Sequence, residues 1–344
     1  MLLSLGVNAA ERGLVPDAVT RMAIRRLCRI GRDERRPDGE FFDSLVGGPI
    51  ALDVEKANEQ HYELPAEFFA NVLGPRMKYS CCQLDSGIES LVDAEVAALE
   101  TTCERAGIRD GQRILELGCG WGSLSCWMAE RFPGSSILAA SNSAHQRRFI
   151  ESKVREKGLG NLQVVTADMN AFEPAGLFDR VVSVEMFEHM RNFDALMARI
   201  AHWLKPDGRL FVHHFCHRNL AYPFETAGDS NWMGRHFFTG GLMPSEHLLR
   251  RFDNSLVEVA RWKWSGKLYQ RTAEAWLKNL DARREAVLPV LESAYGRTNG
   301  RRWFHRWRMF FLAVAELFGF AGGEEWFVAH ALFARNDARR NGTP

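Results

Sequence analysis

The stretch Arg113-Ile114-Leu115-Glu116-Leu117-Gly118-Cys119-Gly120-Trp121-Gly122-Ser123 decides the fold. Its short apolar run predicts a buried strand, and the alternating glycines predict a tight turn leading into a helix over Leu124 to Arg131. Dinucleotide enzymes set a GxGxxG turn against pyrophosphate at a helix N-terminus. Here the spacing is GxGxG, with Glu116 two residues ahead of Gly118. That variant suits a ligand without phosphate. An acid at that place can bind the ammonium end of S-adenosyl-L-methionine, while Gly118 and Gly120 let its amino-acid part lie on the loop.

Strand and helix signals alternate outward from this turn. Strands are expected at Ser136 to Ala140, Leu162 to Thr166, Phe178 to Val184 and Arg209 to His214, with helices at Ala144 to Lys157 and Phe193 to Leu204. Lys205-Pro206-Asp207-Gly208 reads as a turn. Such alternation predicts a mostly parallel sheet with helices on both faces. Leu256 to Trp264 and Trp326 to Ala334 read as a late hairpin with the helical stretch Thr272 to Phe318 between its strands. On the N-terminal side, residues 1 to 36 read as arginine-rich amphipathic helix broken near Pro16, and Val92 to Ala106 as a helix. The expected organisation is a helical and cofactor-covering region at 1–100, a methyltransferase domain at 101–335 with insertions at about 217–250 and 270–320, and a polar tail at 336–344. Nothing in the N-terminal helices chooses between covering the pocket and forming a homodimer contact.

Ends of the next strands supply further ligand groups. The second strand ends in Ala139-Ala140-Ser141-Asn142-Ser143, where an acidic residue is usual for gripping a ribose. Ser141, Asn142 and Gln146 offer donors and acceptors for the same diol. Asp168 and Met169 follow the third strand: they either contact adenine, or serve as a helix cap and a core residue.

Composition narrows the partners. The 344 residues are 46% hydrophobic and 25% charged, with 44 basic against 43 acidic side chains. A balanced charge gives no long-range pull on nucleic acid, and none is expected as a partner. The run Arg301-Arg302-Trp303-Phe304-His305-Arg306-Trp307-Arg308 reads as a helix with aromatic rings inward and arginines in water rather than a stacking surface. Met309 to Ala321 is too short to cross a bilayer, so no stable membrane insertion is expected. Seven cysteines without a CxxC pattern suit free thiols in a cytoplasmic protein. His213, His214, Cys216 and His217 raise a metal site, but neighbouring strand residues point to opposite faces, and no metal is expected.

Several elements together carry a family likeness from about Asn58 to Arg335. They are Asn58-Glu59-Gln60-His61-Tyr62-Glu63-Leu64-Pro65, Met77-Lys78-Tyr79-Ser80-Cys81, the glycine loop, and Ser141-Asn142-Ser143 with Gln146. Glu185-Met186-Phe187-Glu188-His189-Met190, Trp264-Ser265-Gly266-Lys267 and Gly323-Glu324-Glu325-Trp326 complete them. The chain resembles the cyclopropane-fatty-acid-synthase superfamily of methyltransferases, and within it the coclaurine N-methyltransferase branch, which methylates tetrahydroisoquinoline amines. The resemblance implies a class I, Rossmann-like α/β fold with a mostly parallel seven-stranded sheet, N-terminal helices and an inserted helical lid. It also implies that Tyr79 and Ser80 close over S-adenosyl-L-methionine, with Gly118, Gly120, Asn142, Gln146 and Met169 around it. Lipid-cyclopropanating members carry Gly where this chain has Glu185, and hold bicarbonate with the following Glu and His and a neighbouring Cys. Glu185 matches the amine-methylating branch.

Glu185, Glu188 and His189 follow a core strand and face the expected cofactor. An alkylamine is mostly protonated at neutral pH, so its lone pair must be freed by a base. The expectation is that Glu188 and His189 handle the proton while Glu185 positions the amine. Tyr222, Phe224, Trp232, Phe237 and Phe238 lie in the insertion and read either as pocket wall or as lid core; Tyr79, Tyr222 and Trp326 are taken as acceptor-binding. The expected reaction is N-methylation of a small cyclic or arylalkyl amine. The alternative is methylene transfer to a phospholipid acyl chain.

Overall fold

The computed structural model describes residues 2–34, 39–52, 64–85, 87–228 and 230–336. Asn58 to Glu63 and the tail from residue 337 lie outside the described residues. Strands β1 (Arg113–Leu117), β2 (Ser136–Ser141), β3 (Leu162–Thr166), β4 (Phe178–Val184) and β5 (Leu204–His217) run parallel. A two-stranded ribbon, β6 (Tyr222–Pro223) with β7 (Leu242–Met243), follows, then β8 (Leu256–Trp264) and β9 (Trp326–Arg335). The seven-stranded sheet has the order β3-β2-β1-β4-β5-β9-β8, and β9 pairs antiparallel with both neighbours. The Lys205 to Gly208 turn is absorbed into β5 as an irregularity, where the register with β4 jumps from Phe178↔Leu204 to Arg180↔Arg209.

Alternate residues along each strand feed opposite cores. Ile114, Ile137, Val164, Val182 and Phe211 bury one face under α5 (Leu91–Ala106), α6 (Ser123–Arg131) and α7 (Ala144–Lys157). Leu115, Leu117, Val181, Leu210 and Val212 bury the other under α8 (Phe193–Trp203). These strands carry apolar residues on both sides because helices cover both faces. Before them come α1 (Leu2–Glu11), α2 (Asp17–Glu34), the single turn α3 (Gly39–Asp43) and α4 (Ala66–Val72). Helix α5 runs through residue 100 and buries Leu99 and Cys103 against the sheet. It starts on Ser90, whose side chain accepts from Asp93 N, and ends on Gly107 in the left-handed region.

A third, aromatic-rich core lies beyond the carboxyl edge of the sheet. It joins α9 (Trp232–His236), α10 (Gly266–Ala282), α11 (Arg284–Tyr295) and α12 (Arg297–Gly319) around Phe69, Phe237, Trp276, Trp307 and Phe311. The arginine and aromatic run sits on α12 with Phe304 and Trp307 buried. Its arginines do not simply face water. Arg302 and Arg306 pair with Glu11, and Arg308 reaches Asp17 and Asp281 at 2.9 and 2.6 Å. Those ion pairs bind the N-terminal helices to the lid. All seven cysteines are free thiols. Among the described residues no helix is long and apolar enough to cross a membrane.

Candidate active site

The loops after β1 and β4, neighbours in the sheet, open side by side at its carboxyl edge, the switch point where open α/β sheets bind ligands. Gly118 and Gly122 have φ of 77° and 79°, and a Cβ on either would meet Met186 Cγ at 2.6 Å or Ile150 Cγ1 at 2.7 Å. At Gly120 a Cβ would meet nothing within 4 Å, because the loop faces open space there. Backbone N–H groups of Gly118 and Cys119 both donate to Ala140 O at 3.0 Å, which fixes the loop against the end of β2.

Three cavities meet at this edge. The first, about 690 Å³, is lined by Gly118, Ser141, Asn142, Gln146, Asp168 and Met169, with Glu185 and His189 at its inner end. The second, about 600 Å³, runs past Lys78, Tyr79, Ser80, Glu116, Gly120 and Gln146 to Glu185. The third, about 710 Å³, is aromatic: Tyr79, Phe215, Phe238, Tyr269, Trp276 and Phe318 surround it, again with Glu185 and His189. Among the described residues, Glu185 is therefore the one side chain shared by all three.

The first two cavities fit S-adenosyl-L-methionine. Gln146 is buried, its Oε1 accepts from Ser141 Oγ at 2.7 Å, and its Nε2 has no partner. That orphaned donor is available to a ligand oxygen. Burial pushes the Glu116 carboxyl up to about 7, although the Ser125 hydroxyl donates to it. Binding an ammonium there would relieve both burial and protonation. Asp168 faces the cavity and accepts from Asn170 N at 2.9 Å; it closes a turn, and no helix directly follows it to be capped. Met169 lines the cavity and belongs to the core beneath it. Glu95, buried on α5, accepts from Arg76 N and Lys78 N at 2.8 and 3.1 Å, and Cys82 N donates to Thr272 Oγ1 at 3.1 Å. These bonds draw Tyr79 and Ser80 over the glycine loop. Lys78 Nζ donates to Ser80 Oγ at 2.5 Å and Cys81 O at 2.7 Å.

Glu185 holds a backbone conformation suited to glycine, with φ of 49°. For an ordinary residue that costs about 1 kcal/mol or more. Its carboxylate is held by three donors: Cys81 N–H at 3.0 Å, Tyr269 O–H at 2.6 Å and His213 Nε2 at 3.1 Å. Burial raises its pKa, opposed by the Lys78 charge and by the Tyr269 and Cys81 bonds. Burial holds His213 well below its usual range, so it is the neutral Nε2–H tautomer that donates. Tyr269 is raised well above its ordinary value by burial and by the Glu185 charge, and stays a hydroxyl. Burial, and then the charge of Arg191, lower His189 to about 4, leaving a neutral imidazole stacked on Phe238 with ring centres 5.9 Å apart.

Glu188 lies deeper. It is fully buried, lines none of the three cavities, and accepts from Phe215 N at 2.7 Å through Oε1 while Oε2 has no partner. Burial first, and Glu185 second, raise its pKa well above the ordinary carboxylate value.

Other expected acceptor residues are placed differently. Trp326 Nε1 donates to Tyr222 OH at 2.9 Å, and the pair packs with His217, away from the aromatic cavity. His217 Nδ1 accepts from Asn219 N and Leu220 N, and Nε2 faces Glu325 at 3.1 Å, so that cluster ties the start of the insertion to β9. Of the insertion's rings, Phe224 and Phe238 face the cavity, while Trp232 and Phe237 pack into the lid core. Sequence reading missed Tyr269, Trp276, His213, Phe215 and Phe318. Tyr269 and Trp276 stand seven residues apart on one face of α10, a spacing that was readable. His213 reads in the sequence as an ordinary strand-end polar residue near the pocket, without its bond to Glu185.

Sheet order, glycine loop and paired cavities define a class I S-adenosylmethionine-dependent methyltransferase. Residues 52–319 match the family model described as mycolic acid cyclopropane synthetase, and the chain belongs to that family. It is 36% identical over 342 residues to an (S)-coclaurine N-methyltransferase of Thalictrum flavum subsp. glaucum, covering 94% of each chain. Another (S)-coclaurine N-methyltransferase, from Papaver somniferum, is 34% identical over 341 residues, covering 94% of this chain and 96% of that one. A crystal structure of coclaurine N-methyltransferase bound to N-methylheliamine and SAH superposes with a TM-score of 0.92 at 35% identity, covering 97% of this chain and 100% of that one.

Proposed function

We propose that this enzyme methylates the nitrogen of a small cyclic or arylalkyl amine in the cytoplasm. The observation that carries the reading is Glu185, a buried carboxyl at the junction of the cofactor and acceptor cavities, ringed by donors that favour its charged form. An anion there attracts an ammonium into an aromatic cavity, and aromatic faces add to the attraction. The sequence likeness to amine N-methyltransferases supports the same class of acceptor, and free buried thiols suit a reducing compartment.

Bound S-adenosyl-L-methionine supplies an electrophilic methyl carbon, held by Tyr79, Ser80, Glu116, the glycine loop, Ser141, Asn142, Gln146, Asp168 and Met169. The chain's own task is positioning and proton handling. Glu185 takes the ammonium and orients its N–H. His189, neutral and open to the acceptor cavity, receives the proton that leaves nitrogen. Glu188 is drawn back from the cavity, so its share is indirect. It holds the 187–189 turn against β5 through the Phe215 N–H bond, and so positions His189.

Methyl-labelled S-adenosyl-L-methionine is offered with cyclic and arylalkyl amines, and in parallel with unsaturated phospholipid vesicles. The reading expects one added methyl on an amine, by mass spectrometry, with turnover greatly reduced in His189→Ala. Label in the acyl chains with amines untouched would overturn it.

A further inference from the structure

The N-terminal helices and α12 border another apolar cavity, of about 1030 Å³, open to solvent where Leu3 and Val19 are exposed, which the methyl-transfer chemistry leaves unused. Val7 of α1, Ala23 and Leu27 of α2, and Met309 and Ala313 of α12 form its walls. Its described lining includes no charged side chain.

This cavity adjoins the aromatic one. Met233 of α9 lines both. Along α12, Met309 and Ala313 face the N-terminal cavity while Phe310 and Val314 face the aromatic one. One residue turns a helix by about 100°, so the two spaces lie on adjacent sides of one helix. Its walls are anchored. Trp232, next to Met233, donates its indole N–H to Glu11 at 2.8 Å, and Arg21 bonds Glu274 and Glu316. The partition at Met233 is a half-buried thioether on three rotatable bonds, the side chain most able to re-pack.

We propose that the N-terminal cavity is a second acceptor subsite, taking the apolar substituent of the amine that lies farthest from its nitrogen, with Met233 setting how far that substituent reaches. The inference rests on the amine reading above. Glu185 fixes the nitrogen in the aromatic cavity, and the space across Met233, apolar apart from Thr20 and Ser230, suits hydrocarbon or aryl surface. It gives the N-terminal helices a part in specificity.

The test compares a bare bicyclic secondary amine with the same ring carrying an aralkyl chain beside its nitrogen. In Ala23→Trp and Ala313→Trp, which fill the cavity, the kcat/KM ratio of chain-bearing to bare amine should fall roughly tenfold or more, the scale of a lost apolar contact. In Met233→Ala the ratio should rise. Unchanged ratios in folded variants that bind S-adenosyl-L-methionine normally would overturn the subsite. A turnover-free arm uses the fluorescent apolar probe N-phenyl-1-naphthylamine. Saturable binding to the wild type that is lost in Ala313→Trp supports the cavity even if neither amine is methylated, in which case the amine reading has failed instead. No saturable binding overturns the subsite.

Discussion

Removing the charge of Glu185 should cost roughly three orders of magnitude in kcat/KM for an amine. Two unit charges about 4 Å apart at an effective dielectric of about 20 attract by about 4 kcal/mol, which is roughly a thousandfold in rate. Glu185→Gln keeps the shape and two of the three accepted bonds but loses the attraction. Its amide NH2 also opposes one of Cys81 N–H, Tyr269 O–H and His213 Nε2–H. Glu185→Gly acts differently. It relieves a φ of 49° but leaves three buried donors unpaired, at about 1–3 kcal/mol each. Formate or acetate, being carboxylates of matching size, should enter that space. We expect them to raise the melting temperature of Glu185→Gly with concentration, as any ligand of the native state does, and to recover part of the lost turnover. Initial rates with labelled cofactor and differential scanning fluorimetry read the two effects. Wild-type kcat/KM in Glu185→Gln would refute the electrostatic argument. A folded Glu185→Gly, binding cofactor normally and indifferent to small carboxylates, would refute the donor cradle.

Three further outcomes follow from the same geometry. Glu116, raised to about 7 by burial despite the Ser125 hydroxyl that donates to it, must be ionised to hold an ammonium. Cofactor affinity should therefore fall below pH 7, with close to one proton released per cofactor bound at pH 6, measured by calorimetry in buffers of different ionisation enthalpy; no release there would remove the pairing. Glu188, raised by burial, contributes stability that is complete below its unfolded pKa and is lost as pH climbs toward its folded one. Glu188→Gln escapes that loss, so its melting temperature should exceed wild type by more at pH 8 than at pH 5; an equal offset at both values contradicts the shift. Tyr269→Phe removes a bond to a charged group, about 1.5–3 kcal/mol. It should lower kcat/KM roughly ten- to a hundredfold and move the acid limb of the pH–rate profile upward, because the Glu185 anion loses a donor; an unmoved limb would make Tyr269 a packing residue only.

Much of the site was legible because its chemistry is local in sequence. The strand, the glycine turn and Glu116 sit within a dozen residues, and Glu185 and His189 follow one strand directly. What could not be read were contacts made across the lid. Tyr269 reaches Glu185 from α10, and His213 reaches it from the next strand. Neither pairing has a sequence spacing to betray it. Tyr222 and Trp326 were misplaced for the opposite reason: both are aromatic and near the sheet's carboxyl edge, but β5 and β9 pair His217 with Trp326, which turns the indole toward Tyr222 instead of the cavity. Arginines on α12 looked solvated because their partners on α1 and α2 are almost the whole chain away.

The left-handed backbone at Glu185 bears on descent. Glycine adopts that conformation without strain, and glutamate and glycine codons differ by a single nucleotide (GGA to GAA, GGG to GAG). A chain with glycine there would present the Cys81, Tyr269 and His213 donors as an open cradle for a free anion; one base change would install the anion covalently. A free anion and a tethered one would then be alternative occupants of one cradle, one base change apart, with strain of about 1 kcal/mol as the energetic step between them.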